Sequence, residues 1–281
     1  MILIADSGST KTTWMEVESG NKIVTEGLNP HFTTGERFLA ACDVVRQQLP
    51  MFNEQCSIYF YGSGCGSESQ HAKVESLLAK AFETSNVHVE TDMLGACRAV
   101  CGGRPGVVGI LGTGSNACYY NGRKIVYQAV STGYILGDPG SANHVGRLLL
   151  NDYLTGRMPY YLAPLFHESY PLTNEQFMDA VYHQPHPNRF LASLAPFALQ
   201  NEKDVYCSHL VFNCLKEWYY QQVVGAVTYS SNGCKNLSIV GSFGAAIGEP
   251  MERFEKELHM VVKKRLSDPI DGLRQYHIKK F

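Results

Sequence analysis

The sequence has no long apolar run and no excess of charge of either sign. None of its segments approaches the roughly 18 continuous apolar residues that a membrane-spanning helix needs. Its 24 Lys and Arg residues against 26 Asp and Glu residues give a formal net charge of −2, so no positive field favours nucleic acid or an anionic membrane. Residues 1–6 (MILIAD) lack the basic segment that opens an export signal. We therefore expect a cytoplasmic protein with neither a nucleic-acid nor a membrane partner.

The nine cysteines lack the even number and paired spacing of a disulfide framework. They are typical of thiols in a reducing cytosol. Cys97 and Cys101 share a helical face, and His183 lies near His186, but neither pair has further ligands nearby, so neither is predicted to bind a metal. With 44% hydrophobic and 18% charged residues, the composition is that of a folded globular protein.

Length and an internal repeat predict two domains. The chain has 281 residues, and a single core rarely grows past about 250–300 residues. A strand–turn–strand pattern opens the chain and recurs after the helix-breaking residues 102–106 (GGRPG), which places the turns at residues 7–10 (SGST) and 113–116 (TGSN) 106 positions apart. We place the domains at residues 1–104 and 105–281. The last helix, running from Ile270 to about His277, is expected to pack back on the first domain.

Near the end of the chain, the pattern predicts a strand from Leu237 to Val240. It then predicts a helix that carries Phe254, Leu258, Val261 and Val262. The basic run at residues 263–265 (KKR) would be the solvated end of that helix.

A small-residue turn follows Asp6 at the end of the first strand. The N–H groups of such a turn and the Thr10 hydroxyl can hold phosphate oxygens, and Asp6 can hold a hydrated magnesium ion beside them. A hairpin turn that is merely polar is the alternative. A second turn of the same kind at residues 112–116 (GTGSN) favours the phosphate interpretation, because two such turns on either side of a domain joint can clamp a nucleotide.

Residues 6–12 (DSGSTKT) and 111–116 (LGTGSN) resemble the two phosphate motifs of the superfamily that contains actin, hexokinase, acetate kinase and chaperone ATPases. Residues 241–244 (GSFG) resemble its adenosine motif. Within the superfamily, residues 91–96 (TDMLGA) and 133–141 (GYILGDPGS) are similar to N-acetylglucosamine kinases of the BadF/BadG/BcrA/BcrD type. The resemblance spans essentially the whole chain. It implies an α/β fold of two ribonuclease-H-like domains, each with a mixed five-stranded sheet flanked by helices, and an interdomain cleft.

The resemblance also implies roles for the matched residues. Asp92 would be the catalytic base that accepts the proton of the sugar hydroxyl, and Asp6 would hold magnesium. The ATP contacts would be Ser9, Thr10, Lys11, Gly112, Thr113, Gly114, Gly241 and Ser242, and the sugar contacts would be Asn29, Asp92, Ser115, Asn116, Gly133 and Asp138. Without the motifs, the simpler interpretation of Asp92 is a cap of the helix that follows it.

The implied activity is ATP- and magnesium-dependent phosphorylation of N-acetylglucosamine or a related amino sugar. Pro139 departs from the family pattern, which has Glu at this position, and this leaves the identity of the sugar open. The alternatives are an activator ATPase of a CoA-linked reductase or dehydratase, and a sugar or nucleotide sensor of the same fold without turnover. The expected partner is a small sugar, and a homodimer stays open.

Overall fold

The computed structural model describes residues 1–49, 55–230 and 233–280. Within those ranges the chain divides into two compact units. The first unit comprises residues 1–104, 122–124 and 268–280, and the second comprises residues 105–121 and 125–267. The last helix therefore belongs to the same unit as the N-terminal residues. Across the described ranges, no helix combines the length and the apolar character needed to cross a membrane.

The first unit is a mixed sheet with helices on both faces. Its elements are β1 (Ile2–Ser7), β2 (Lys11–Glu16), β3 (Lys22–Glu26), α1 (Gly35–Gln48), β4 (Ser57–Gly62), α2 (Glu68–Phe82), β5 (Val87–Thr91), α3 (Asp92–Cys101) and, from the end of the chain, α14 (Ile270–Lys280). The strand order is β3-β2-β1-β4-β5. β1 is antiparallel to β2 and parallel to β4.

Alternation along β1 decides which side chains reach each face of this sheet. Leu3 and Ala5 are buried in one core cluster with residues of α1 and α2, such as Phe38 and Val74. Because successive side chains of a strand point to opposite faces, Asp6 lies on the other face, against which α3 and α14 pack. A polar side chain at the end of β1 is thus placed on the α3 side of the sheet.

The second unit repeats this topology with a larger helical part. Its elements are β6 (Pro105–Leu111), β7 (Ser115–Asn121), β8 (Ile125–Gln128), α4 (Gly133–Leu136), α5 (Ala142–Leu154), α6 (Ala163–Ser169), α7 (Asn174–Tyr182), α8 (Pro187–Ala192), α9 (Pro196–Gln200), α10 (Val205–Trp218), a π-helical turn (Tyr219–Val223), α11 (Val224–Tyr229), β9 (Asn236–Val240), α12 (Ser242–Ala246), α13 (Glu249–Leu258) and β10 (Val261–Leu266). The strand order is β10-β9-β6-β7-β8, with β6 antiparallel to β7 and parallel to β9. The prediction of two mixed five-stranded sheets flanked by helices is confirmed.

The prediction of one helix through Phe254 and Val262 is wrong. α13 ends at Leu258 because His259 adopts the left-handed conformation (φ 52°), and β10 begins two residues later. β10 pairs with β9 and stands at the edge of the sheet among the described strands. The basic run at residues 263–265 therefore lies on an edge strand, where charged side chains discourage pairing with another chain, and is not the end of a helix.

Candidate active site

The turn between β1 and β2, residues 8–11, is the first of the two predicted phosphate turns and is called the first turn below. Its ends are joined by the hydrogen bond from the Gly8 N–H to the Lys11 carbonyl, 3.0 Å long. Just outside it, the buried hydroxyls of Ser7 and Thr12 lie 2.9 Å apart. Thr10 and Lys11 are exposed. The strand ends are thus pinned while the tip of the turn presents its polar groups to solvent.

Gly27 allows the segment that carries Asn29 to lie against the first turn. The Gly27 N–H donates to the Thr10 carbonyl (3.1 Å), and a Cβ at position 27 would come within 2.6 Å of the Gly8 carbonyl oxygen. Only glycine fits this approach without displacing the turn. The next N–H, that of Leu28, donates to the Ser7 hydroxyl at 3.0 Å. The backbone therefore ties a predicted sugar residue to the predicted phosphate turn.

Asp92 is the first residue of α3 and is not its N-cap. The cap is Thr91, whose hydroxyl accepts from the Leu94 N–H at 3.2 Å. The capping interpretation of Asp92 is therefore wrong. Asp92 Oδ1 accepts from the Met93 N–H at 2.8 Å. Burial raises the pKa of Asp92, and the hydrogen bonds from Met93, from its own N–H and from the Ser63 hydroxyl act in the opposite direction.

Ser63 connects Asp92 with Asn29. Its hydroxyl donates to the Asp92 carboxylate, and it lies 3.5 Å from Asn29 Nδ2, at the limit of a hydrogen bond. Asn29 is buried, with Oδ1 accepting from the His31 N–H at 3.0 Å. The first unit thus brings the predicted base and one predicted sugar contact to a shared serine.

Asp6 lies among charges of its own sign. Burial, together with the negative charges of Asp268 and Asp92, raises the pKa of Asp6 to about 8, and Lys11 only partly offsets this. Carboxylates crowded in this way fit a hard cation, which would neutralise them. Among the described residues, no three His, Cys, Asp or Glu side chains are grouped to hold a metal ion. A magnesium ion at Asp6 would therefore take its other ligands from phosphate and water, as it commonly does.

The second predicted phosphate turn, called the second turn below, is residues 112–114, between β6 and β7. The Gly112 N–H donates to the Gly114 carbonyl at 3.0 Å, and the first N–H groups of α5 donate to the carbonyls of Gly112 and Thr113. Gly241, at the end of β9, packs against this turn with φ 128°, and a Cβ there would collide with the Leu111 carbonyl. Ser242 is exposed at the start of α12. The five predicted nucleotide contacts of the second unit therefore lie in this turn or in the segment that packs against it.

Ser115 and Asp138 contact each other directly. Asp138 Oδ1 accepts from the Ser115 N–H at 3.1 Å, and the Ser115 hydroxyl donates to the Pro139 carbonyl at 2.6 Å. Burial raises the pKa of Asp138, and its bond to Ser115 opposes the shift. Asp138 itself has a left-handed backbone, φ 54°. Pro139 is buried and contributes only its carbonyl to this contact.

The remaining predicted sugar residues lie nearby in the chain without joining this contact. Asn116 Oδ1 accepts from the N–H of the next residue, Ala117, at 2.7 Å. Gly133 starts α4 with φ 74°, and its carbonyl accepts from the Gly137 N–H at 2.8 Å. Gly133 and Gly137 thus close the short helix that precedes Asp138.

Sequence reasoning missed three residues of the site. Gln222, on the π-helical turn, is buried and lies 3.3 Å from the Ser115 hydroxyl through its Oε1. Asp268 pairs with Lys11, a residue 257 positions away. A serine in the small-residue loop after β4 was the available signal for Ser63, whereas neither Gln222 nor Asp268 stands in a recognisable motif.

Comparison with known structures places the chain in a family. The "Putative N-acetylglucosamine Kinase" of Porphyromonas gingivalis shares 34% identity over 99% of both chains, with a TM-score of 0.91. A second protein of that name, from Chromobacterium violaceum, shares the fold at 18% identity over 98% of both chains, with a TM-score of 0.73. A ROK family glucokinase from Streptomyces griseus, solved with glucose and AMPPNP, shares it more distantly at 13% identity over 98% of this chain and 97% of that one, with a TM-score of 0.57.

No protein-family model matches the sequence, and no curated protein matches it. The assignment to a family therefore depends on the first of these structures. The chain matches it over nearly its whole length, with a sequence identity higher than a shared fold alone requires. The chain belongs to the family of the Porphyromonas gingivalis protein, within the actin-like ATPase fold.

Proposed function

We propose that the protein is a sugar kinase of the BadF/BadG/BcrA/BcrD type that transfers a phosphoryl group from ATP to N-acetylglucosamine or a related amino sugar. The observation that carries the proposal is the environment of Asp92. Asp92 is not the N-cap of α3, and its carboxylate has a raised pKa and shares Ser63 with Asn29. A carboxylate so placed is suited to accept a proton from a bound hydroxyl.

The catalytic step needs little covalent help from the protein. Phosphoryl transfer depends mainly on positioning and on neutralising phosphate charge, and a base that takes the acceptor's proton completes it. Asp92 would take that proton as the hydroxyl oxygen attacks the terminal phosphorus. A raised pKa strengthens Asp92 as a base, because proton transfer to a carboxylate is easier when its acid is weaker.

ATP would be held by both turns. The N–H groups of the first turn with Ser9, Thr10 and Lys11, and those of the second turn with Gly241 and Ser242, would contact the nucleotide. Magnesium at Asp6 would supply charge neutralisation at the phosphates when bound. Cytoplasmic location is part of the proposal, because ATP and phosphorylated sugars are used there.

The sugar would be held by amide and carboxylate groups. Asn29, Asn116 and Asp138 combine donors with acceptors, which suits hydroxyls and an acetamido group. Ser115 acts in this scheme through Asp138, because its hydroxyl already donates to Pro139 and its N–H to Asp138.

A substrate panel with coupled ADP detection tests the proposal. N-acetylated hexosamines, free hexosamines, cell-wall sugars and plain hexoses are compared by kcat/KM at saturating ATP. We expect the N-acetylated hexosamines to exceed glucose. Glucose equal to or better than every amino sugar would contradict the substrate class. ADP release of equal rate with and without any sugar would instead favour the activator ATPase.

A further inference from the structure

We propose that Asp268 is a positioning residue for the first turn, holding the Lys11 ammonium beside it for the phosphates of ATP. This inference rests on the proposed function. Asp268 precedes α14, far along the chain from the turn, and does not itself stand in a recognisable motif.

The contact follows from the alternation of β2. Lys11 and Thr13 are two residues apart on a strand and point to the same face of the sheet. The same oxygen of Asp268, Oδ2, accepts from Lys11 Nζ at 2.9 Å and from the Thr13 hydroxyl at 3.2 Å. Its other oxygen, Oδ1, accepts from the Ile270 N–H at 3.0 Å. One carboxylate thus joins the first turn, the strand after it and the start of α14.

The electrostatics agree with a strong contact. Burial by itself would raise the pKa of Asp268, but hydrogen bonds from Lys11, Ile270 and Thr13 and the charge of Lys11 together lower it. The Asp268 side chain is 24% exposed and that of Lys11 57%. The carboxylate is therefore the fixed partner and the lysine the one that reaches solvent at the turn.

Pairing with Asp268 leaves Lys11 able to bind phosphate. An ammonium group has three N–H donors, and in the described part of the chain Lys11 Nζ gives one of them, to Asp268. The other two can reach phosphate oxygens while the pair persists. A lysine that is already held loses less side-chain freedom when ATP binds, so the pair should strengthen nucleotide binding.

The test compares two Lys–Asp pairs that join α14 and its start to the N-terminal strands. Lys11 pairs with Asp268 at the turn, and Lys22 pairs with Asp271 at 2.8 Å, at the start of β3. Asn replaces Asp in each pair, as Asp268→Asn and Asp271→Asn. Asn caps a helix about as well as Asp, so the contact to Ile270 should survive in Asp268→Asn and the thermal midpoints of both variants should stay close to wild type.

Binding of AMPPNP by titration calorimetry is the readout. We expect Asp268→Asn to raise the Kd for AMPPNP by about three- to tenfold, the scale of immobilising one flexible side chain on binding, and Asp271→Asn to leave it within about twofold. In a Lys11→Met background, Asp268→Asn should cause no further weakening, because Asp268 acts through Lys11.

Each other outcome is decisive. Unchanged or tighter AMPPNP binding in Asp268→Asn overturns the inference, as does equal weakening with and without Lys11. Equal weakening by Asp271→Asn would show a general effect of attaching α14 and would overturn it too. A wild-type protein that binds no AMPPNP overturns the proposed function along with the inference, whereas the other results leave the proposed function intact.

Discussion

The two units build the same sheet but finish its first strand differently. In the first unit, Asp6 faces Thr13 across the hairpin, one position before the last pair of the ladder. In the second unit, the corresponding position holds Ile110, which faces Asn116. The second unit has a half-buried carboxylate on a loop instead, at Asp138. A repeated topology therefore supplies equivalent turns, while the acidic chemistry is concentrated in one unit.

This difference suggests a division of labour. In the first unit, burial raises the pKa of two carboxyl groups, those of Asp6 and Asp92. The second unit holds glycine-rich backbone at residues 112–114 and a polar contact around Ser115. We expect substitution of Asp6 or Asp92 in the first unit to reduce turnover, and substitution around Ser115 in the second to reduce sugar binding.

The largest expected effect is that of Asp92→Asn. Asn nearly matches the shape of Asp and still hydrogen-bonds a hydroxyl, but it cannot accept the proton. We expect kcat to fall by roughly 10²–10⁴ while sugar binding stays within about tenfold. Steady-state kinetics and sugar titration measure the two quantities.

Thr91→Ala is the matched control for Asp92→Asn. It removes the true cap of α3, which costs about 1 kcal/mol of stability. We expect it to leave kcat within about threefold, because the base remains. Near-normal turnover in Asp92→Asn, or a loss of similar size in Thr91→Ala, would show that only the integrity of the helix matters.

Asp6→Asn should change how stability depends on pH. The folded-state pKa of Asp6, about 8, is above its ordinary value of 3.8. Below that ordinary value both states are protonated, and as pH rises towards 8 the unfolded state ionises more readily, so wild-type stability falls. We expect Asp6→Asn to be more stable than wild type at pH 8 by one to a few kcal/mol, and by less at pH 4.

Urea unfolding at the two pH values, with and without magnesium, measures this effect. Magnesium at pH 8 should stabilise wild type, because a cation favours the ionised carboxylate. The difference in unfolding free energy between Asp6→Asn and wild type should therefore become smaller. The activity defect of Asp6→Asn should be partly relieved by high magnesium, unlike that of Asp92→Asn. An equal difference in unfolding free energy between Asp6→Asn and wild type at pH 4 and pH 8 would contradict the raised pKa of Asp6.

In the second unit, Asp138→Asn should act on binding. The Asn side-chain oxygen can still accept from the Ser115 N–H, so the loop should keep its shape. The lost charge weakens the bond to a sugar hydroxyl, because hydrogen bonds to ionised acceptors are the stronger ones. We expect the KM for the sugar to rise about tenfold with kcat changed less than threefold. A loss confined to kcat would put catalysis in both units.

Local patterns predict the sheet elements well and their neighbours poorly. The strands before both turns follow from short apolar runs ended by small polar residues, and the two turns follow from their repeat. β10 was missed because Val261 and Val262 continue the helical spacing of Phe254 and Leu258. The left-handed backbone at His259, which ends the helix, has no marker in the residue type.

The site shows the same limit. Asp92 is recognisable from the sequence because it follows a strand in a known motif. The sequence does not decide whether Thr91 or Asp92 caps α3. Contacts between distant parts of the chain, such as Lys11 with Asp268 or Ser115 with Gln222, depend on how elements pack. Neither periodicity nor a motif contains that information.

The smallest expected effect is that of Gln222→Met, which tests whether the Gln222 side chain holds Ser115 in place. The π-helical turn adds a residue to the helical path and directs Gln222 at Ser115, where its Oε1 lies 3.3 Å from the hydroxyl and its Nε2 3.5 Å from the carbonyl. Met has a similar length but makes neither polar contact. Because the Ser115 hydroxyl keeps its shorter bond to Pro139, we expect a loss of about 1 kcal/mol in stability. The KM for the sugar should rise about two- to fivefold, with AMPPNP binding unchanged.

Gln221→Met, on the exposed side of the same turn, is the control. Equal effects of the two substitutions on KM would mean that the π-helical turn, rather than the contact with Ser115, supports the sugar site.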